Sequence, residues 1–254
     1  MLKKRLIGVV TVKDGWAVQS FGYRRYLPLG KPETLVQNLD RWGADEILVQ
    51  CIDRSAKRLG PDLEVLGKID RLGCSTPIIY GGGILEPSDA IKVISRGADR
   101  VMVDAMLFDA PELIETVARD LGSQAIIAHL SARVGTNGFL AMDYRTLGEL
   151  LVSEWVRRLP LEWISELMIT DWRHEGLPES FDTRLLEIAS LVDKPLLCFG
   201  GISSPMQIEQ VLLHTKVAGV GIGNFLNYRE HALQILKQCL KKCSIRPPRF
   251  QRSI

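Results

Sequence analysis

Short apolar, β-branched runs bounded by turn residues recur along the chain, and longer segments with apolar residues at every third or fourth position separate them. The runs are residues 5–12 (RLIGVVTV), 46–52 (EILVQCI), 77–81 (PIIYG), 100–104 (RVMVD), 125–130 (AIIAHL), 166–171 (ELMITD), 195–199 (PLLCF) and 218–223 (AGVGIG). Period-two runs alternating with period-3.6 segments predict parallel strands joined by helices. The helical segments are PETLVQNLDRW, DLEVLGKIDRL, PSDAIKVISRG, PELIETVARDLG, LGELLVSEWVRRL, DTRLLEIASLV, PMQIEQVLLH and REHALQILKQCLKK, several with Pro or Asp in the first turn. Eight such pairs in 254 residues predict a (β/α)₈ TIM barrel over residues 1–242, with a doubly wound open sheet as the alternative.

The pattern also repeats. IIYGGGILEP at 78–87 returns as LLCFGGISSP at 196–205, placing Gly82 over Gly200 and Pro87 over Pro205. The likeness extends from strands three and four to seven and eight, and DEILVQCIDR resembles SELMITDWR. Two similar half-barrels related by an internal two-fold are therefore expected. A glycine pair leaving a strand and entering a helix lets backbone N–H groups approach an anion. Two such turns on opposite sides of the mouth suggest a ligand with a phosphate at each end, held by Gly82, Gly83 and Asp104 on one side and Gly200, Gly201, Gly223 and Asn224 on the other. The plainer alternative is that the glycines only make tight strand exits. Asp104 weighs against the first site, because two anions repel.

Composition narrows the classes. The chain is 46% hydrophobic and 24% charged, with 32 basic against 30 acidic residues, which is too balanced for a nucleic-acid surface. The basic excess collects in residues 243–254, read as a solvated tail. No stretch approaches the ~18 apolar residues of a membrane span, and the basic N-terminus leads into a first strand, not a signal sequence. Five scattered cysteines, 51, 74, 198, 239 and 243, suit reduced thiols of a cytoplasmic protein, with neither metal nor cofactor expected. The tryptophans form no stacking array; Trp16 and Trp172 are expected near the mouth, Trp155 and Trp163 in packing. Lys13 reads as solvated beside Asp14.

The order of MLKKRLIGVVTVKDGW, GADEI, GGGI, GAD, PELI, LGSQ, SELMIT and FGGI resembles the cyclase subunit of imidazole glycerol phosphate synthase over roughly residues 1–240. The resemblance implies a TIM barrel holding a substrate with two phosphates. It also implies two catalytic aspartates, in patterns like LDVKDG and IDAKR, that act as acid and base for a lyase and ring-closure step. Thr11 stands at the first position, Leu130 or Ser131 at the second, and Cys51 at a further acidic one. Neither Thr nor Leu moves protons near neutral pH, so a divergent paralogue is expected. Asp53, Asp104 and Asp171 after strand ends, with His174 and Glu175 beyond the last, are candidates for a relocated acid–base set; a solvated His174 is the plainer reading.

The resemblance further implies that ammonia from a separate glutaminase subunit enters at the N-terminal barrel face through a gate of two basic and two acidic residues. Arg5, Glu46, Arg100 and Glu166 match those positions, with Arg for the family's Lys at the third. A ring of alternating charges also serves simply to plug the floor. The retained gate and lost acids resemble paralogues that work with a glutaminase-like subunit and a sugar amidotransferase on nitrogen-bearing surface sugars. The acceptor implied is a phosphorylated or nucleotide-linked sugar derivative. A functional cyclase of histidine biosynthesis and a non-catalytic phosphate-binding scaffold are the alternatives.

Overall fold

In the computed structural model, which describes residues 3–247, the strands in chain order are β1 (Arg5–Lys13), β2 (Trp16–Phe21), β3 (Arg25–Gly30), β4 (Glu46–Cys51), β5 (Ile78–Gly81), β6 (Arg100–Val103), β7 (Ile126–Gly135), β8 (Gly138–Asp143), β9 (Gly148–Leu151), β10 (Glu166–Asp171), β11 (Leu196–Phe199) and β12 (Val217–Ile222). β1, β4, β5, β6, β7, β10, β11 and β12 pair in parallel in that order, and the β12–β1 pairing closes the ring. All eight barrel strands lie where the apolar runs predict them. The fold is a (β/α)₈ barrel.

Alternation along each strand sorts the core into two shells. Ile7, Val9, Leu48, Ile79, Met102, Ile127, Met168, Leu197 and Phe199 make a closed interior cluster. β12 contributes Gly219 and Gly221 opposite it, where a methyl group would press on Leu197, Val9 and Phe199 side chains. The outward residues, such as Val10, Val49, Tyr80, Val101, Leu130, Ile169 and Cys198, pack under the helices in a second, larger cluster. One buried ion pair crosses between shells of the chain: Lys237 Nζ meets Asp45 Oδ1 at 2.6 Å, and Asp45 Oδ2 accepts from the Leu6 N–H at 2.8 Å. This ties the last helix, Ala232–Cys239, to the start of the barrel.

The helices following the two glycine turns start alike. Pro87–Ser95 opens with a capping box between Glu86 and Asp89, and Pro205–Leu212 opens with Ser204 accepting from the Gln207 N–H. The turns themselves are alike in backbone: φ is +117° and +72° at Gly82 and Gly83, and +96° and +77° at Gly200 and Gly201. A Cβ on Gly82 would lie 2.1 Å from the Cys51 carbonyl oxygen, and one on Gly200 would lie 2.4 Å from that of Asp171. Each turn thus crosses close over the end of the preceding barrel strand. That packing by itself demands glycine, which is the plainer of the two sequence readings.

Three segments depart from expectation. The stretch after β1, which holds none of the eight apolar runs, is the antiparallel hairpin β2–β3. The segment at 147–159, expected as one helix, divides into β9, paired with β8, and a short helix Val152–Arg157; its first half spends its backbone hydrogen bonds on β8 and so extends a three-stranded arm from β7. Residues Thr183–Ser190 wind as 3₁₀ turns. At the C-terminus, Lys4 bridges to Ile245, so residues 244–245 lie against the barrel floor, while 248–254 of the basic segment fall outside the described residues.

Gly82→Ala and Gly200→Ala are each expected to cost at least about 2 kcal/mol, because both the positive φ and the carbonyl approach must be relieved. Urea unfolding with an unchanged slope and a lowered midpoint is the expected reading.

Candidate active site at the mouth of the barrel

The interior alternation continues upward into polar residues. Beyond Val9 comes Thr11, beyond Leu48 Gln50, beyond Ile127 His129 and Ser131, and beyond Met168 Thr170. A cavity of about 260 Å³ opens there, its walls including Tyr23, Tyr26, Gln50, Asp104, His129, Ser131, Tyr144 and Trp172. A second cavity, about 180 Å³, lies across the mouth against Gly201, Ser203, Gly223, Asn224 and Phe225.

The β2–β3 hairpin separates them: Gly22 and Tyr23 face the first cavity and Phe21 the second. Tyr23, held at φ +53°, packs on the interior cluster and its hydroxyl donates to Gln50 Oε1 at 3.3 Å. Glu175 anchors the hairpin. Its Oε2 accepts from Ser20 Oγ at 2.9 Å and the Tyr23 N–H at 3.2 Å, its carbonyl from the Gly22 N–H at 2.8 Å, and burial pushes its carboxyl above the usual glutamate range. Asn224, a sequence candidate for phosphate, is spent on the same hairpin: its amide donates to the Ser20 carbonyl at 2.7 Å.

The first glycine turn is filled from within. The Gly83 N–H donates to Ser55 Oγ at 2.8 Å, Ser55 Oγ lies 3.1 Å from Asp104 Oδ1, and Tyr144 and the Ala105 N–H also donate to the Asp104 carboxylate. Gly82, Gly83 and Asp104, expected to hold a phosphate together, are thus joined to one another through Ser55. In the second half, the Gly201 carbonyl accepts from the Ser180 and Phe181 N–H groups, while Gly223 and Gly201 border the open cavity.

The proposed acid–base candidates do not converge. Ser131 lines the larger cavity; Thr11 is buried in register with Gln50 but lines neither cavity. Asp53 pairs with Lys57 at 3.0 Å outside both. Asp171 points outward from the strand, taking His174 Nδ1 at 2.7 Å and the Asp182 N–H at 2.9 Å, and so pins the loop after β10. Cys51 points into the outer core, where burial raises its thiol to about 12, so it supplies no acid. Leu130 likewise faces the outer core, whereas Ser131 faces the cavity. Trp172 borders the cavity as expected, whereas Trp16 stands exposed beside the Asp14–Lys31 recess instead.

Sequence reasoning passed over His129. Its Nε2 lies 2.9 Å from Thr170 Oγ1, and burial lowers its pKa, so the imidazole is neutral at pH 7. The signal was present: His129 stands two residues beyond an inward Ile127, which fixes its face.

At the opposite end of the interior, the four candidate gate residues form a closed ring. Arg5 Nη1 meets Glu46 at 3.0 Å and its Nη2 meets Glu166, while Arg100 Nη1 meets Glu166 at 2.6 Å and Glu46 at 3.4 Å. All four side chains are at most 14% exposed. A recess of about 520 Å³ beside the ring is bordered by Lys3, Lys4, Lys194, Lys216 and Arg246, with Asp193 also on its edge.

The profile of the histidine biosynthesis protein family matches residues 5–232. The chain belongs to that family. Within it, the chain is HisF-like along nearly its whole length. It is 28% identical over 249 residues to the putative imidazole glycerol phosphate synthase subunit hisF2 of Vibrio vulnificus, covering 96% of this chain and 91% of that protein. It is 26% identical over 253 residues to the imidazole glycerol phosphate synthase subunit HisF of Exiguobacterium, covering 98% of each. The HisF subunit of Staphylococcus aureus strain MRSA252 is 27% identical over 251 residues, at 96% and 99% coverage. Among the described residues no helix is long and apolar enough to cross a membrane.

Because the Glu175 carboxyl holds its proton more tightly folded than unfolded, stability is expected to fall as pH rises from the ordinary glutamate value of about 4.3 through the raised folded value. Glu175→Gln keeps acceptors for Ser20 and Tyr23 and removes that dependence, so its melting temperature should match or exceed the parent's at pH 7. Glu175→Ala should lose about 1–3 kcal/mol by stranding the two donors.

Proposed function

We propose that this chain is the barrel subunit of a glutamine-dependent complex: a glutaminase partner docks on the barrel floor, and ammonia passes up the interior to an acceptor at the mouth. The observation that carries this reading is the closed Arg5–Glu46–Arg100–Glu166 ring standing directly beneath an apolar column. An ammonium ion would pay a large desolvation cost in that column, while neutral ammonia crosses it far more readily. Ring and column together select the uncharged species. The lysines around the neighbouring recess supply a positive rim for an acidic patch on the partner.

Two readings of the acceptor compete. The names of the relatives favour imidazole glycerol phosphate synthesis, with this chain as cyclase subunit. The mouth favours a different acceptor, a phosphorylated or nucleotide-linked sugar derivative whose amidation involves a further sugar amidotransferase. Thr11 and Ser131 occupy the positions at which the resembled family carries its aspartates, and neither hydroxyl is an acid or base near neutral pH. In place of the pair, His129 brings one neutral imidazole to the cavity. On this reading Ser131 and His129 face the acceptor, and Gly200, Gly201 and Gly223 border whatever anionic end it carries. A scaffold without chemistry has no observation of its own in its favour.

Steady-state turnover of the histidine pathway's ribulosyl intermediate with an ammonium salt separates the two. The sugar reading expects background rates; turnover near ~1 s⁻¹ or faster, within the ordinary enzyme range, establishes the cyclase instead. Docking is tested by sedimentation with the glutaminase subunit of the same genome. Lys194→Glu with Lys216→Glu should weaken the complex at least about ten-fold, chiefly through slower association at low salt.

A further inference from the structure

Asp104 is a buried carboxylate, 8% exposed, that caps the short helix Ala105–Asp109. Among the described residues it is the only acidic one on the wall of the larger mouth cavity. Among the described residues no lysine or arginine forms an ion pair with it. Its carboxylate accepts hydrogen bonds from Ser55, Tyr144 and the Ala105 amide. Ser55 in turn takes up the Gly83 N–H, so the donor that a phosphate would need is relayed into an anion already present.

We infer that the larger cavity binds the neutral, hydroxyl-bearing ring of a sugar and excludes phosphate, with Asp104 as the excluding charge. This deepens the sugar reading of the acceptor and rests on it. A second anion beside Asp104 would be repelled at short range in a site largely closed to water. The remaining walls suit a sugar ring. Tyr23, Tyr26 and Tyr144 offer flat aromatic surface. Gln50, Ser131 and the neutral His129 offer donors and acceptors without charge. Trp172 adds a further aromatic wall to the cavity. The cavity measures about 260 Å³. Among the described residues the one lysine or arginine on its wall, Arg24, is exposed, so an anionic linkage on the sugar stays outside while the ring goes in.

Amide and indole NMR of the isotope-labelled full chain tests this with two probes, inorganic phosphate and N-acetylglucosamine. In the parent protein, phosphate should leave the Gly82, Gly83 and Ala105 amides unmoved, and N-acetylglucosamine should shift the Trp172 indole resonance. Asp104→Asn, which keeps the shape, should gain phosphate binding read at the Gly83 amide, at least ten-fold tighter than in the parent. Phosphate shifting those amides equally in parent and variant overturns the inference, as does a Trp172 resonance that ignores the sugar. Ser55→Ala provides a second variant that frees the Gly83 N–H while retaining Asp104; it should still reject phosphate, and phosphate binding there equally overturns the role given to Asp104. None of these readouts needs the glutaminase or turnover, so a failed complex or an active cyclase is distinguished from a failure of this assignment.

Discussion

Closing eight parallel strands into a ring forces every second residue of each strand into one shared interior, and that packing constraint orders the molecule from floor to mouth. At the floor the shared interior holds two arginines and two glutamates, which can be buried only because each charge faces opposite charges. In the middle it holds the apolar column from Ile7 to Leu197. At the mouth the same inward positions become Thr11, Gln50, His129, Ser131 and Thr170. A one-residue slip in any strand would turn its set outward, so site and core share a single register.

The same constraint explains why the repeated glycine turns do not make equal binding sites. Both exist because a turn must pass over a neighbouring strand end, and that requirement is blind to ligand. What differs is the side chain placed beside each. In the first half Ser55, itself bonded to Asp104, takes up the Gly83 N–H; in the second, a cavity remains beside Gly201 and Gly223. The hairpin seated by Glu175 and Asn224 then divides the mouth, so the two halves no longer form one continuous trough. A duplicated scaffold has become two unlike chambers.

Much of this was legible in residue order. The eight barrel strands follow from apolar runs, and the floor charges from the family resemblance, which matches them to the first residues of four of those runs. What escaped is physically specific. The segments around 16–30 and 147–151 carry mixed polarity and form strands only because they find partners in the antiparallel arms, a tertiary choice that periodicity does not encode. His174 and Asp171 lie three apart in sequence and look like an acid–base pair, yet the alternation that turns Thr170 inward sends Asp171 outward. His129 was missed because an isolated histidine in an apolar run resembles a core residue until its face is counted. Asp104 was read as a repulsive neighbour of a phosphate, and residue order gives no sign of the hydrogen bonds it takes from Ser55, Tyr144 and Ala105.

We propose that the floor receives ammonia from a glutaminase partner. Glutamine hydrolysis by the glutaminase subunit of the same genome, measured with and without one equivalent of this chain, tests it most directly. The account predicts a rise of at least about ten-fold that Arg5→Ala abolishes or uncouples, since substrate-side signalling of this kind is a coupling free energy of about 1–3 kcal/mol. An unchanged hydrolysis rate in a mixture of two folded proteins would contradict it, and would leave the ring of Arg5, Glu46, Arg100 and Glu166 as a plug that only closes the barrel.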